Sequence, residues 1–240
     1  REATKARMTD GKALFDEKCA TVAGEKIYRK VENVEGLLLM KVRPERGDRE
    51  LADRMWPGAA FARETSGKEF VTTFLGYEYA SNPAGRNDPV TQERRGYINT
   101  DRRPGGLPGY RWVEAMDEND GQRYRYTLAY KPRPTSKIGY IDAILDKTPS
   151  ASPSPRYGVT YEDHVIPEDR DLGIASSTVR VIDLKTREVL GEMTRYAWSP
   201  GAPSRVNPSP WLTAYKCPPT SGDLVSVTRQ FVDTVLIPVK

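Results

Sequence analysis

His164 is the only histidine among the 240 residues, and it lies in an acidic stretch at residues 161–171. Carboxylates beside an imidazole can raise its pKa or help to hold a cation, which is the chemistry of a general base. A hydrolytic dyad also needs a nucleophile close in space, and the sequence does not identify one. We therefore favour a solvated or structural histidine in an acidic turn, and we keep a hydrolase that uses His164 as an alternative.

The remaining motifs that could carry chemistry are incomplete. Ser66-Gly67-Lys68-Glu69 resembles part of a phosphate-binding loop, but the full Gly-x-x-x-x-Gly-Lys-Ser/Thr pattern is absent. No serine lies in a Gly-x-Ser-x-Gly elbow, and the sequence contains no calcium loop of the EF-hand type. The sequence accordingly predicts no catalytic residue, no cofactor and no metal ion.

Cys19 and Cys217 are the only cysteines, and they lie 198 positions apart (217 − 19). Neither belongs to a Cys-x-x-Cys pair, and one histidine cannot complete a zinc site with them at the usual spacings. Two separate buried thiols are one interpretation; our prediction is one disulfide, because the cysteines lie near opposite ends of the chain. Closing so long a loop would restrict the unfolded chain by roughly 5 kcal/mol in the entropic model. Such a bridge persists in the periplasm or outside the cell, so we expect a periplasmic protein.

Arginine and aromatic residues gather in and beside two long irregular segments, at residues 81–109 and 199–210. These residue types are enriched at binding hot spots, and long loops often carry binding function. For any single residue, solvated charge or a core aromatic is the simpler interpretation. Together they predict a protein-binding surface made by Arg94, Arg95, Arg102, Arg103, Arg205 and Trp211.

The charge and hydropathy of the chain argue against two classes of partner. The 37 basic and 33 acidic residues give a net charge of +4 and are well mixed. Proteins that bind nucleic acid usually carry a strong basic stripe, so we expect no nucleic-acid partner. No apolar run approaches the ~20 residues of a membrane-spanning helix, so we expect no membrane span. The polar residues 1–7 look like the start of a mature protein after removal of a signal or anchor.

Many turn residues and aromatics favour short strands over a helical bundle, with Gly and Pro at 19 each and Tyr at 13. The clearest signal is a hairpin of residues 110–116 and 122–130, in which Tyr124, Tyr126, Leu128 and Tyr130 share one face. A second hairpin is predicted at residues 177–183 and 188–198. We further expect strands at residues 26–31, 37–42, 70–79 and 157–163, a helical turn at 140–145, and helices at 10–20 and 223–236. A strand is the alternative for the last segment.

The predicted fold class is α+β, mainly β, with antiparallel sheets and short N- and C-terminal helices. The length suits a single domain over residues 1–240. The Ser- and Pro-rich stretch at residues 148–155 is typical of an exposed, semi-extended linker. The alternative is therefore two lobes that meet near residues 148–155.

Five segments resemble an uncharacterised family of exported proteobacterial proteins. They are residues 11–19 (GKALFDEKC), 23–28 (AGEKIY), 95–101 (RGYINTD), 157–164 (YGVTYEDH) and 210–217 (PWLTAYKC). The resemblance extends over most of the chain, except residues 131–155, and it assigns no catalytic residue. Some exported families of this type are encoded beside type VI secretion effectors and act as immunity proteins.

The leading hypothesis is a periplasmic protein-binding module, most concretely an immunity protein that neutralises a secreted toxin. Such a protein needs a stable scaffold, long loops and hot-spot residues, and it needs no chemistry. An envelope structural or assembly protein is an equal alternative, and the hydrolase that uses His164 is the third.

Overall fold

The computed structural model describes residues 2–79, 96–134, 139–150, 153–219 and 225–240. Its main layer is a nine-stranded mixed sheet with short helices around it, so the predicted α+β, mainly β class is confirmed. The strands are β1 (Gly24–Ile27), β2 (Val31–Val34), β3 (Gly36–Leu39), β4 (Tyr77–Tyr79), β5 (Tyr97–Asn99), β6 (Trp112–Met116), β7 (Arg123–Pro132), β8 (Ile141–Pro149), β9 (Tyr157–His164), β10 (Ile174–Asp183), β11 (Glu188–Trp198), β12 (Tyr215–Cys217) and β13 (Leu236–Pro238). The α-helices are α1 (Glu2–Thr21), α2 (Asp48–Ala52), α3 (Gly67–Leu75), α4 (Pro167–Asp171) and α5 (Val227–Val235), and Pro57–Phe61 and Pro210–Thr213 are 3₁₀ helices.

The main sheet has the strand order β1-β11-β10-β9-β3-β6-β7-β8, and β12 also pairs with β11. Both predicted hairpins are present in it, as β6–β7 and as β10–β11, and both are antiparallel. The β6–β7 hairpin follows from the sequence, because the alternating side chains of its second strand fit a sheet with one face in the core and turn residues join its strands. Two small sheets, β2 with β13 and β4 with β5, and an isolated bridge between Glu78 and Leu107 complete the pairing among the described residues.

Three strand pairs depart from the antiparallel arrangement that the sequence predicts: β3 with β6, β3 with β9, and β2 with β13. β3 runs parallel to both of its neighbours, β6 and β9. Leu37 and Leu39 are buried on one face of this strand, and Leu38 is half-buried on the other. A strand that is apolar on both faces is typical of the parallel centre of a sheet, so the sheet is mixed and not wholly antiparallel.

The core of the protein lies mainly on one face of this sheet. Phe70 and Phe74 of α3 and Phe231 of α5 are fully buried against strand residues such as Val179 and Met193. A second, smaller cluster forms where α1 packs on the other side, with Phe15 stacked on Trp198 at a ring distance of 6.0 Å. The two clusters place helices on both faces of the strands β10 and β11.

Three local predictions are wrong. The segment 26–31, predicted as one strand, contains the end of β1 and the start of β2, and residues 28–30 between them belong to neither. The segment 70–79, predicted as a strand, is mostly helix α3, and only Tyr77–Tyr79 is extended. Phe70, Phe74 and their neighbours bury one helical face, and this helical spacing outweighs the β propensity of the segment. The segment 140–145 is predicted as a helical turn, but its residues 141–145 belong to β8, which pairs with β7 along its whole length.

The terminal helices are confirmed with different bounds. α1 begins at Glu2 and not near Asp10, while α5 covers only Val227–Val235 of the predicted 223–236. Strand β8 extends through Pro149 into the predicted linker, and residues 151–152 lie outside the described part of the chain. The possible meeting of two lobes near residues 148–155 stays a prediction.

Candidate functional site

The predicted disulfide between Cys19 and Cys217 is present, with Cα atoms 5.7 Å apart. It joins the last turn of α1 to the end of β12, next to the stacked rings of Phe15, Trp198 and Tyr215. Disulfides of this structural kind form and persist in oxidising compartments, which points to an extracytoplasmic protein. No described helix combines the length and apolar character needed to cross a membrane.

The described part of the long central loop is ordered by tyrosines. β5 pairs with β4, and the rings of Tyr79 and Tyr97 stack at 5.5 Å. The hydroxyl of Tyr79 donates to the carbonyl of Asp101 and accepts the backbone N–H of Arg103 at 2.9 Å. One buried hydroxyl therefore fixes the backbone on both sides of Arg102.

Arg102 is held between two further tyrosines. Its Nε donates to the hydroxyl of Tyr77 at 2.9 Å, and its guanidinium carbon lies 4.6 Å from the ring centre of Tyr130. The hydroxyl of Tyr130 donates to the carbonyl of Thr100 at 2.8 Å. Burial raises the pKa of Tyr130 to about 12, so this tyrosine stays a neutral hydrogen-bond donor at physiological pH. A cation held over a tyrosine ring has little freedom left to lose on binding.

We call this region the tyrosine–arginine surface: Tyr77, Tyr97, Arg102, Arg103 and Tyr130. Arg103 forms an ion pair with Asp101, and about half of each side chain is exposed. Next to Arg102 lies an open cavity of about 210 Å³. Sites for small molecules usually measure ~300–1,000 Å³, so this cavity suits one side chain of a protein partner better than a small ligand. Its walls include Leu75, Tyr77, Arg102, Arg111, Leu128 and Tyr130.

The other predicted contact residues have different positions. Arg94 and Arg95 lie outside the described residues. Arg205 is exposed in the loop before the second 3₁₀ helix, beside Val206, which is 96 % exposed. The prediction that Trp211 contacts a partner is wrong, because its side chain is only 2 % exposed and its Nε1 donates to the carbonyl of Asp53 at 2.8 Å. Its ring belongs to the core and is not offered to a partner.

The imidazole of His164 lies at one end of a row of polar side chains across the sheet, followed by the hydroxyls of Thr178 and Thr194. Its Nε2 is 3.1 Å from Oγ1 of Thr178, which is 3.0 Å from Oγ1 of Thr194. The adjacent carboxylates bind elsewhere: Asp163 accepts from Arg43, and Glu162 accepts from Arg180. Among the described residues, no group of three or more His, Cys, Asp or Glu side chains could hold a metal ion. This arrangement fits a structural role for His164 better than a catalytic one.

Sequence reasoning missed a buried charged group, which we call the Glu64 cluster: Glu64, Arg43, Asp163 and Thr228. Glu64 accepts from Arg43 Nε at 2.7 Å, from the backbone N–H of Thr228 at 2.6 Å and from its hydroxyl at 2.8 Å. Arg43 also donates to Asp163 at 3.2 Å. Burial acts to lower the pKa of Arg43, but Glu64 and Asp163 outweigh it and raise that pKa. Residues 43–64 carry no pattern that distinguishes this cluster from solvated charge.

Further cations surround the cluster. Arg195 and Arg170 are both buried, and burial lowers the pKa of each to about 10. Lys216 lies nearby on β12, where burial and then Arg195 and Arg63 lower its pKa to about 8. Burial disfavours these charges, and Glu64 and Asp163 act in the opposite direction as counter-charges to Arg195 and Arg170.

No protein-family model matches this chain, and neither a curated protein nor a solved structure matches it. The resemblance to exported proteobacterial proteins therefore stays a prediction.

Proposed function

We propose that this protein is a periplasmic protein-binding module, most concretely an immunity protein that neutralises a secreted toxic effector. One observation carries the proposal. Arg102 is held at an exposed position between Tyr77 and Tyr130, beside an open cavity of about 210 Å³. Arginine and tyrosine are the residues most often found at the energetic centre of protein interfaces.

The surface is prepared for binding before any partner arrives. Hydrogen bonds from Tyr79 and Tyr130 hold the backbone that carries Arg102. A side chain that is already ordered loses little conformational entropy on association, and so gives more of its contact energy to affinity. An exposed guanidinium also attracts an acidic partner over a distance of about 10 Å at ordinary ionic strength.

The disulfide supports a periplasmic location for this protein. A bridge between Cys19 and Cys217 would be reduced in an ordinary bacterial cytoplasm and retained in the periplasm. A toxin that acts in the periplasm must be met there, so the compartment and the binding role agree.

The test measures affinity for a partner captured from periplasmic extract. Arg102→Glu combined with Arg103→Glu should weaken binding at least tenfold, equivalent to about 1.4 kcal/mol, because an attractive contact becomes a repulsive one. Raising the salt concentration should weaken binding of the native protein and leave the residual binding of the double variant unchanged or slightly stronger. Arg94→Glu and Arg95→Glu are then added to complete the predicted four-arginine reversal.

Lys185→Glu combined with Arg187→Glu is the matched control. It changes the net charge equally on the exposed turn between β10 and β11. Equal loss of affinity in both double variants would indicate a general charge effect, and unchanged affinity in the first would place the interface elsewhere. The loop that carries Arg205 would then be the next candidate.

A growth assay separates the immunity role from the envelope alternative. The captured partner is exported to the periplasm of a sensitive host, with or without this protein. Growth arrest that this protein relieves supports immunity, whereas a harmless partner from the envelope supports a structural or assembly role. His164→Ala should protect as well as the native protein, and a loss of protection with unchanged stability would favour the hydrolase.

A further inference from the structure

Strand β8 ends the main sheet on one side. It is nine residues long, and within the described part of the chain its only strand neighbour is β7. The opposite side of the sheet is shared by the short strands β1 and β12. A long edge with one free side offers a row of backbone groups to another strand.

The hydrogen bonds at the two ends of β8 show which residues face outward. The N–H of Arg133 donates to the carbonyl of Tyr140 at 2.7 Å, and the N–H of Ser150 donates to the carbonyl of Arg123 at 3.0 Å. In an antiparallel pair, positions that bond to the neighbour alternate with positions that do not. The backbone groups directed away from β7 are therefore those of Ile141, Ala143, Leu145 and Lys147.

We propose that β8 pairs with β8 of a second copy of this chain, antiparallel and centred on Leu145. The two main sheets would then form one continuous sheet across a twofold axis. A symmetric contact of this kind uses the same surface on both copies, so the edge must be complementary to itself. The inference is independent of the proposed function, since it concerns a different surface and a different partner.

The charged side chains of β8 favour the register in which Leu145 lies opposite Leu145 of the second copy. With Leu145 opposite itself, the whole of Ile141–Pro149 overlaps, Ala143 faces Lys147, Ile144 faces Asp146 and Asp142 faces Thr148. Moving the centre to Ile144 would bring Asp142 opposite Asp146, and moving it to Asp146 would bring that carboxylate opposite itself. Like charges directly opposite each other destabilise a strand pair, so the register centred on Leu145 is favoured.

The usual protection of an edge strand is only partial here, because Pro149 removes an outward N–H at the last position alone and two of the three charged side chains of β8 are already paired. Charged side chains normally discourage strand pairing, but Asp142 is bound by Arg133 and Lys147 is bound by Asp117. Ile141 and Ile144 are 61 % and 38 % exposed. Pairing would bury part of this apolar area while adding backbone hydrogen bonds.

Variants with one introduced cysteine test the register. The two native cysteines do not interfere, because they are bonded to each other. In Leu145→Cys the two introduced cysteines would have Cα atoms about 5.5 Å apart, within the range of a disulfide. In Ile141→Cys they would be about 27 Å apart, eight residues at 3.4 Å each. We expect oxidation to cross-link Leu145→Cys at least tenfold faster than Ile141→Cys. Equal rates, or faster cross-linking of the more exposed Ile141→Cys, would overturn the proposal.

Sedimentation equilibrium tests the association itself. The native protein should have about twice the 27.0 kDa mass of one chain, and Ala143→Pro should return it to the monomer. Proline at this position removes an outward N–H that makes no hydrogen bond to β7, so the melting temperature of Ala143→Pro should equal that of the native protein. A native monomer at all concentrations, or a dimer that survives Ala143→Pro, would contradict pairing through β8. Should Ala143→Pro fail to fold, the cysteine pair still decides.

Discussion

Arg43 and Arg102 both lie over aromatic rings, but the two regions around them use the cation in opposite ways. Arg43 is 4 % exposed, 4.2 Å from Phe61 and bonded to Glu64 and Asp163. Arg102 is exposed, and within the part of the chain that the structure describes only its Nε has an acceptor. The charges of the Glu64 cluster bond to each other inside the core, whereas Arg102 keeps most of its guanidinium available to a partner.

Structural and functional arginines can be told apart by what happens when their partners are removed. A buried cation requires its counter-charges, because removing one partner leaves an uncompensated charge in a medium of low dielectric constant. An exposed cation can lose its partners at little cost, because water replaces them. Substitutions should therefore lower the free energy of unfolding strongly in the Glu64 cluster and only slightly on the tyrosine–arginine surface.

The largest effect is expected at the centre of the Glu64 cluster. Glu64→Gln removes the charge that faces Arg43 and should lower the free energy of unfolding by about 3–5 kcal/mol. Chemical denaturation at pH 7 measures it. Glu45→Gln makes the same change at an exposed position and should cost little. A loss below about 1 kcal/mol at Glu64 would show that the cluster is not structural, since surface ion pairs have that value.

An intermediate effect is expected at Lys216, with a defined pH dependence. Its folded pKa of about 8 is below the unfolded value, so between these pH values the unfolded chain binds more protons and stability rises with pH. Lys216→Met should be more stable than the native protein by roughly 1 kcal/mol at pH 7, a figure reduced for partial exposure. The advantage should shrink as the pH rises to about 10.

Melting curves at pH 7, 8.5 and 10 measure the dependence. Lys185→Met, at an exposed position, is the control and should show no trend. A Lys216→Met variant less stable than the native protein at pH 7 would mean that the packing of the stem or its bond to Ala214 outweighs the charge.

The smallest effect is expected on the tyrosine–arginine surface. Arg102→Glu with Arg103→Glu should change the free energy of unfolding by about 1 kcal/mol or less, because exposed ion pairs and cation–π contacts have that size. Denaturation under the conditions used for Glu64→Gln allows direct comparison. A loss as large as that of Glu64→Gln would make these arginines part of the scaffold and remove the basis of the contrast.

The sequence predicted the parts of the molecule that depend on short-range patterns. Alternation in Tyr124–Tyr130 and the Asn119-Asp120-Gly121 turn were sufficient for the β6–β7 hairpin. The disulfide followed from two cysteines with no other chemistry available to them. The arginines of the central loop lie partly in a described surface, at Arg102 and Arg103, and the contact role of that surface remains a prediction.

The sequence could not predict what depends on contacts between distant residues. Glu64 meets Thr228 across 164 positions, and Trp211 meets Asp53 across 158. The residue type alone does not show whether a charged side chain is buried or exposed, or whether a tryptophan lies in the core or at a contact surface. Helix α3 was missed for a related reason, because its β-branched and aromatic residues favour strands locally while tertiary packing selects the helix.

The disulfide also determines what a proteolytic cut would do to this chain. Arg205 and Val206 form an exposed peptide bond of the type that trypsin cleaves, and it lies between the two bridged cysteines. A cut there yields two polypeptides that remain covalently attached through Cys19 and Cys217. The nicked molecule would therefore migrate as one species until a reductant is added, and damage to this loop need not release either piece.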